Sequence, residues 1–510
     1  MKKRSPVLVA LVSAVSVFAA SAALAACSAS DEPAVPGRED ASGPRGTLRF
    51  GVGITLDNWD NLTQPNTTYL STVYQTLVER AADGVALRPR LAASWQQTPT
   101  EIAFTLRQGV VFHDGTPFDA AAVKANLDRV RKEPSQYQAM LEPVSDVVAD
   151  DASHVTLKLK RPAPTLVAQL ADRGGYMLSP ASIKAGTFKE KPVGTGPWAF
   201  DTSASVRDSK VVLAYFREYY APKEVGAKKL EIYPIGDDES RFNALATNKV
   251  DVASILPEMR RRAEAQGFKT LWYPALRYHF LFFDRKKTFA DPKVRQGICQ
   301  ALDTKAILTG QFDGLGETYG QRFDRGQPGF DPLVQGYSHD PAQAKSLLAG
   351  KNVSFTLPVF PGTDLLGELV RSQLGAAGAT VKVEKMSTAQ YFSTFDTGKY
   401  AAAYNTSTSE DAGPYDYYRY RFSPQGSGNP YKARTPELDR LAEQGLGESD
   451  PGKQTAVWQQ MTKLINDQAL DCGFLSYPIV LAWDPKNVSN IVPTRFAPSV
   501  FRYWEATPRR

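Results

Sequence analysis

The chain has 510 residues, a formal net charge of +6, three cysteines and four histidines, and is 42 % hydrophobic and 22 % charged. The length exceeds what one core usually supports, so two or three domains are expected. So mild a charge argues against nucleic acid as a partner. The histidines show no His-x-x-x-His spacing and there is no Cys-x-x-Cys, so neither a metal site nor a cofactor is expected.

Lys2, Lys3 and Arg4 precede an apolar run from Val7 to Ala26 that holds no acid, the layout of a secretory signal over residues 1–26. It closes with Leu24-Ala25-Ala26-Cys27, a small-residue site ending in Cys. Cleavage before Cys27 and a lipid on its sulfur are expected, giving a membrane anchor. The abundance of Ala and Ser in the run weighs against an uncleaved transmembrane anchor. Residues 27–45, with Pro33, Pro36 and Pro44 among Ser, Asp, Glu and Gly, read as a disordered tether. Losing the signal would leave a charge of +3. Cys299 and Cys472 lie in apolar surroundings and read as free buried thiols, although an exported protein could pair them.

Thr47 to Ile54 alternates as a strand, with Leu48, Phe50, Val52 and Ile54 on one face. The polar loop Asp57-Asn58-Trp59-Asp60 follows. Ile102, Phe104 and Leu106 alternate in the second of two short strands, and Asp114-Gly115 supplies a turn. A helix begins at the N-cap Asp119, with Phe118 and Val123 at staple positions. His154 to Lys160 is another strand. Pro192-Val193-Gly194-Thr195-Gly196-Pro197-Trp198 fixes a rigid turn, and it lacks the Lys-Ser/Thr of a phosphate loop. The basic cluster Arg260-Arg261-Arg262 reads as a solvated helix face.

Asp291 with Pro292, and Asp340 with Pro341, each start a helix; Gly350 ends the second. Tyr337-Ser338-His339-Asp340 cannot form a catalytic triad, because adjacent residues do not reach that geometry. Val353–Val359, Asp364–Leu374 and the run around Val381 and Val383 have the length of a βαβ unit on a parallel sheet. Tyr400 to Tyr404 is a strand leading to Ser409-Glu410-Asp411. From Tyr415 to Phe422 five aromatic residues surround Arg419 and Arg421, a combination that suits an organic ligand bearing a carboxylate. Packing of lobe against lobe would use the same residues. Two helices after Thr435 and a buried strand from Phe474 to Trp483 follow. No Gly-x-Ser-x-Gly elbow and no recognisable Ser-x-x-Lys pair occurs, so an enzyme is not expected.

Leu91-Ala92-Ala93-Ser94-Trp95 and the run from Phe104 to Phe118 closely resemble the signature of the family 5 extracellular solute-binding proteins, the peptide and nickel binding lipoproteins of ABC importers. Further blocks resemble the same family: Tyr74 to Val78, Pro192 to Trp198, Val294 to Asp303, and Ala244 to Val252, where Asn248 replaces a usual Gly. The resemblance implies an α/β fold of the two-lobed, type II periplasmic-binding-protein class with an extra inserted domain. Lobe I would comprise 46–73, 190–275 and 486–510, the insert 74–189, and lobe II 276–485. Ligand would bind between the lobes of a monomer and be passed to the permease.

By the same resemblance Asp411 falls on the Asp that takes a peptide's amino group, whereas Ser407 and Thr408 replace a Gly-Trp. Ser409 neighbours it. Arg419 is a candidate carboxylate partner, and Trp59, Tyr278, Tyr415 and Tyr477 are candidate walls. A short peptide is the first ligand expected. A nickel complex, siderophore or opine on the same scaffold, or a receptor or chaperone role, are the alternatives.

Overall fold

The computed structural model describes residues 43–509 other than 65–66, 83, 85, 136, 324, 326, 361, 396, 407–412, 427, 449 and 495–501; at 139, 273–279, 388–389, 392, 405–406, 474 and 477 it describes the backbone alone. The expected signal and most of the tether therefore lie outside the described residues. Among the latter, no helix is long and apolar enough to cross a membrane.

The strand Thr47–Val52 buries Leu48, Phe50 and Val52 as its alternation requires. Ile54, expected on the same face, lies past the strand's end and is exposed. Thr47–Val52 pairs in parallel with Lys229–Pro234 and with Val252–Ile255 at the centre of a nine-stranded sheet. One face of this region packs Trp59, Tyr69, Trp198 and Tyr503 into a common core with Leu48. The C-terminal tail returns to that core: Val488–Ser489 pairs with Thr507–Pro508, and Ala506 is fully buried.

A second core belongs to the expected insert. Strands Ala92–Gln97, Glu101–Leu106, His154–Leu159 and Val144–Ala149 form, in that order, an antiparallel sheet covered by the helix Ala120–Lys132. Asp119 caps the helix by accepting the Ala122 amide at 2.9 Å, and Phe118 and Val123 share the core beneath it. Asp114 accepts the Thr116 amide at 3.0 Å while Gly115 takes φ 78°, as the turn demands.

The turn Pro192–Trp198 is a packing clasp. A Cβ at Gly194 would stand 2.1 Å from the Val73 carbonyl oxygen. Its Gly194 carbonyl accepts the His113 amide, and the Gly196 carbonyl lies 2.9 Å from His113 Nε2. Burial lowers the His113 pKa to about 4, so the ring is neutral at physiological pH.

Two long antiparallel strands, Lys269–Phe283 and Asp471–Trp483, tie these cores to the rest of the chain. At one end Trp483 to Val480 also pair with Val252 to Ile255, and Leu271 and Leu481 pack in the core of Leu48. At the other, His279 to Phe283 pair with the strand Ala402–Thr406, and Leu281 and Leu475 enter a different core. The register between the two strands shifts between Pro274 and Tyr278.

The later half builds that different core as the sequence predicts. Asp291 caps the helix Pro292–Ala301 and Asp340 the helix Pro341–Leu348, with Gly350 at φ 70°. Ser354–Val359 and Thr380–Lys385 pair in parallel, with the helix Asp364–Ala376 between them in sequence. Asn248, standing where the resembling family has Gly, adopts φ 62°, a region Asn tolerates better than most residues.

One expectation is corrected. Cys299 and Cys472 are not free thiols: they form a disulfide, with Cα atoms 5.7 Å apart. The end of the helix Pro292–Ala301 and the start of the strand Asp471–Trp483 meet there, a proximity invisible across 173 residues of sequence.

Candidate functional site

The aromatic run folds as a helical turn, Pro414–Tyr417, that widens into a π-helical turn, Tyr418–Phe422. Pro414 sits at the first helical position, where its missing N–H costs nothing. The widening turns alternate rings to opposite sides. Tyr417 and Phe422, edge to face at 5.2 Å, are fully buried against Phe323 and Phe282. Tyr415 and Arg419 face the other way, half-buried, with Asp416 between them at 4 % exposure.

On the Tyr415 side the helical turn meets the insert. A narrow crevice of about 20 Å³ is lined by Arg161, Thr165 and Gln169 from one side and by Tyr415, Asp416 and Arg419 from the other. The Arg161 guanidinium lies over the Tyr415 ring at 5.2 Å and is held by Glu142 at 2.5 and 3.1 Å. Arg419 Nε stands 3.9 Å from Asp416 Oδ1, long for an ion pair. Gln169 is 6 % exposed, and its Nε2 has no hydrogen-bond partner among the described residues. Such a buried, unused donor is uncommon.

On the Tyr417 side lies a cavity of about 40 Å³ lined by Arg322, Tyr337, Tyr417, Asp471 and the disulfide. The Tyr417 hydroxyl donates to Asp471 Oδ2. Burial pushes the Asp471 carboxyl up to about 7, against the opposing pull of Tyr417 and of Arg285, Arg421 and Arg322. Burial likewise brings Arg285 down to about 10, with Arg295 adding to the effect.

The residues singled out from sequence fall in three places. Tyr415 and Arg419 line the crevice. Tyr278 and Tyr477 lie on the two long strands, where Tyr278 pairs with Ser476; their side chains are outside the described residues. Trp59 is 2 % exposed in the core of Leu48, its ring 5.0 Å from Phe200, and takes no part in the crevice. Asp411 and Ser409 lie outside the described residues. Sequence reasoning passed over Arg161, Gln169 and Asp416. The one local signal for the first was its place before Pro162-Ala163-Pro164, a rigid stretch that holds a side chain in position.

Separate cores bridged by a pair of long strands, with a further core in an insert, form an architecture shared with solved periplasmic binding proteins. The binding protein AgaA of A. tumefaciens R10, solved in complex with agropinic acid, has the same fold, with a TM-score of 0.79 at 23 % identity over 91 % of this chain and 99 % of that one. Residues 86–429 match the family of bacterial extracellular solute-binding proteins, family 5 (middle), and the chain belongs to that family. The probable D,D-dipeptide-binding periplasmic protein DdpA of Escherichia coli K12 is 27 % identical over 442 residues, 82 % of this chain and 84 % of that one. The dipeptide-binding protein of the same strain is 25 % identical over 444 residues, 78 % and 82 % of the respective chains.

Proposed function

We propose that this protein is the extracytoplasmic, lipid-anchored binding component of an ABC importer, which captures a short peptide between two lobes and presents it to the permease. It acts as a binder and not as an enzyme. The observation that carries the reading is the relationship, along most of the chain, to proteins named for dipeptides. Cys27 carries the lipid and residues 27–45 the tether, and the body works as a monomer.

The lobes meet at the long strands, lobe II beginning near 276. Lobe II runs over 276–485, and the register shift between Pro274 and Tyr278 supports a first passage there. Ligand contacting both lobes favours their closed arrangement by its differential affinity for it. Asp411, with Ser409 beside it, takes the peptide's amino group and Arg419 its carboxylate. Tyr278, Tyr415 and Tyr477 form walls, and Trp59 backs the Asp57–Asp60 loop from the core.

Titration calorimetry with L-Ala-L-Ala and D-Ala-D-Ala tests this. Asp411→Ala is expected to cost about 2–5 kcal/mol of binding, the range for one partner of a buried charged pair. Unchanged affinity would remove that role. A non-peptide ligand such as an opine, a siderophore or a nickel complex is the second reading, favoured by Ser407 and Thr408 in place of Gly-Trp.

A further inference from the structure

We propose that lobe I rests on the bilayer through a basic face around the point where the lipidated tether joins the body, and that this face takes anionic phospholipid headgroups. This rests on the lipid-anchor reading above. It extends that reading from the lipid to the folded body.

Three segments meet where residues 43–46 enter the body. The Arg45 amide donates to the Gly226 carbonyl at 3.0 Å, and the Arg45 carbonyl accepts the Lys228 amide at 3.3 Å. The Gly226 amide in turn donates to the Trp504 carbonyl in the C-terminal tail, and a Cβ at Gly226 would stand 2.3 Å from the Ala506 carbonyl oxygen. The tail then pairs Thr507–Pro508 with Val488–Ser489, and the Arg509 amide donates to the Asn487 carbonyl at 2.8 Å. Arg45, Lys228, Lys486 and Arg509 are thereby gathered on one part of lobe I, and all four are exposed.

None of the four has a carboxylate partner among the described residues. The acids beside them in the chain are engaged elsewhere: Glu224 with Arg90 at 2.5 Å, Glu231 with Lys229 at 2.8 Å and Glu505 with Arg502 at 3.2 Å. Asp484 accepts the Lys486 backbone amide at 2.8 Å. The face therefore carries an uncompensated positive potential. A surface of negative headgroups satisfies such charges together, each Lys or Arg near an anionic bilayer raising partitioning by up to about fivefold. Reach decides the occupant. Fully extended, residues 27–45 span at most about 65 Å, so a lipid on Cys27 keeps this face within that distance of the bilayer. The linkage makes the contact intramolecular, and individually weak attractions then suffice. Lobe I is held in this way while lobe II stays free to swing on the long strands.

The test uses the mature chain, residues 27–510, with Cys27→Ser so that the lipid does not mask contacts made by the body, in co-sedimentation with vesicles. Vesicles holding about 30 mol % phosphatidylglycerol should bind it at least about tenfold more strongly than pure phosphatidylcholine at low salt, and about 0.5 M NaCl should abolish the difference. Arg45→Gln, Lys228→Gln, Lys486→Gln and Arg509→Gln together should lower binding to the anionic vesicles by about tenfold or more. A control makes the same charge change at four exposed lysines of lobe II, Lys286→Gln, Lys305→Gln, Lys345→Gln and Lys382→Gln. It should stay within about twofold of the parent, because those charges lie away from the face. Equal losses in the two variants overturn the inference. So does a parent chain with no preference for anionic vesicles, whether or not the variants fold. Mass spectrometry of the chain recovered from membranes tests the anchor separately. An unmodified Cys27 removes the anchor reading and the inference with it, whereas a lipidated Cys27 without any vesicle preference removes the inference alone.

Discussion

Asp60 and Arg129 show what single residues contribute to holding the insert in place. Arg129, on the insert's helix, donates to Asp60 at 2.5 Å and to Asn61 at 2.8 Å, and its guanidinium lies over Phe188 at 4.4 Å. Both partners of the ion pair are almost wholly buried. Asp60→Ala removes the buried partner and leaves the guanidinium with only the half-exposed Glu133 as counter-charge, which should cost about 1–3 kcal/mol in urea unfolding. Asp471 carries a second residue-scale prediction. Its carboxyl is pushed up to about 7 when folded, against an ordinary value of 3.8, so the folded state holds a proton that the unfolded state releases. The stability that goes with this proton is fully present below about pH 4 and is lost as pH rises through about 7, by on the order of 1 kcal/mol per pH unit. Unfolding midpoints measured from pH 4 to 8 should therefore fall in the wild type, and Asp471→Asn should remove that decline.

Elements differ in how they are fixed. The disulfide joins the helix Pro292–Ala301 to the strand Asp471–Trp483 across a long stretch of chain. Replacing both cysteines by Ala should cost about 2–5 kcal/mol, read as a lower melting temperature in the absence of reductant. The Gly194–Gly196 turn is fixed by steric contact with the Val73 carbonyl. Gly194→Ala should destabilise by more than the roughly 1 kcal/mol of an ordinary glycine substitution, because backbone must move. These features mark what the sequence could disclose. Caps at Asp119, Asp291 and Asp340 were legible because a cap is a matter of three adjacent residues. The face of Thr47–Val52 was legible from its alternation, although Ile54, two residues past the strand's end, does not share it. The disulfide and the crevice were not legible: each joins segments far apart in the chain, and neither half of the crevice shows its chemistry alone. Arg161 and Gln169 meet Tyr415 and Asp416 only in the folded chain.

At the scale of the molecule, the pair of long strands runs from one core to another, with Leu271 and Leu481 at one end and Leu281 and Leu475 at the other. Bending near their midpoint would move the lobes relative to each other while leaving both interiors packed. A ligand that bridges the lobes must then stabilise the fold as a whole, by linkage to the bound state. The most direct test is the melting temperature of the purified protein with L-Ala-L-Ala, D-Ala-D-Ala, agropinic acid and a nickel-histidine complex, each added at rising concentration. A concentration-dependent rise with a dialanine, and none with the metal complex or the organic acid, is the predicted result. A rise with the metal complex or the organic acid alone would contradict peptide capture.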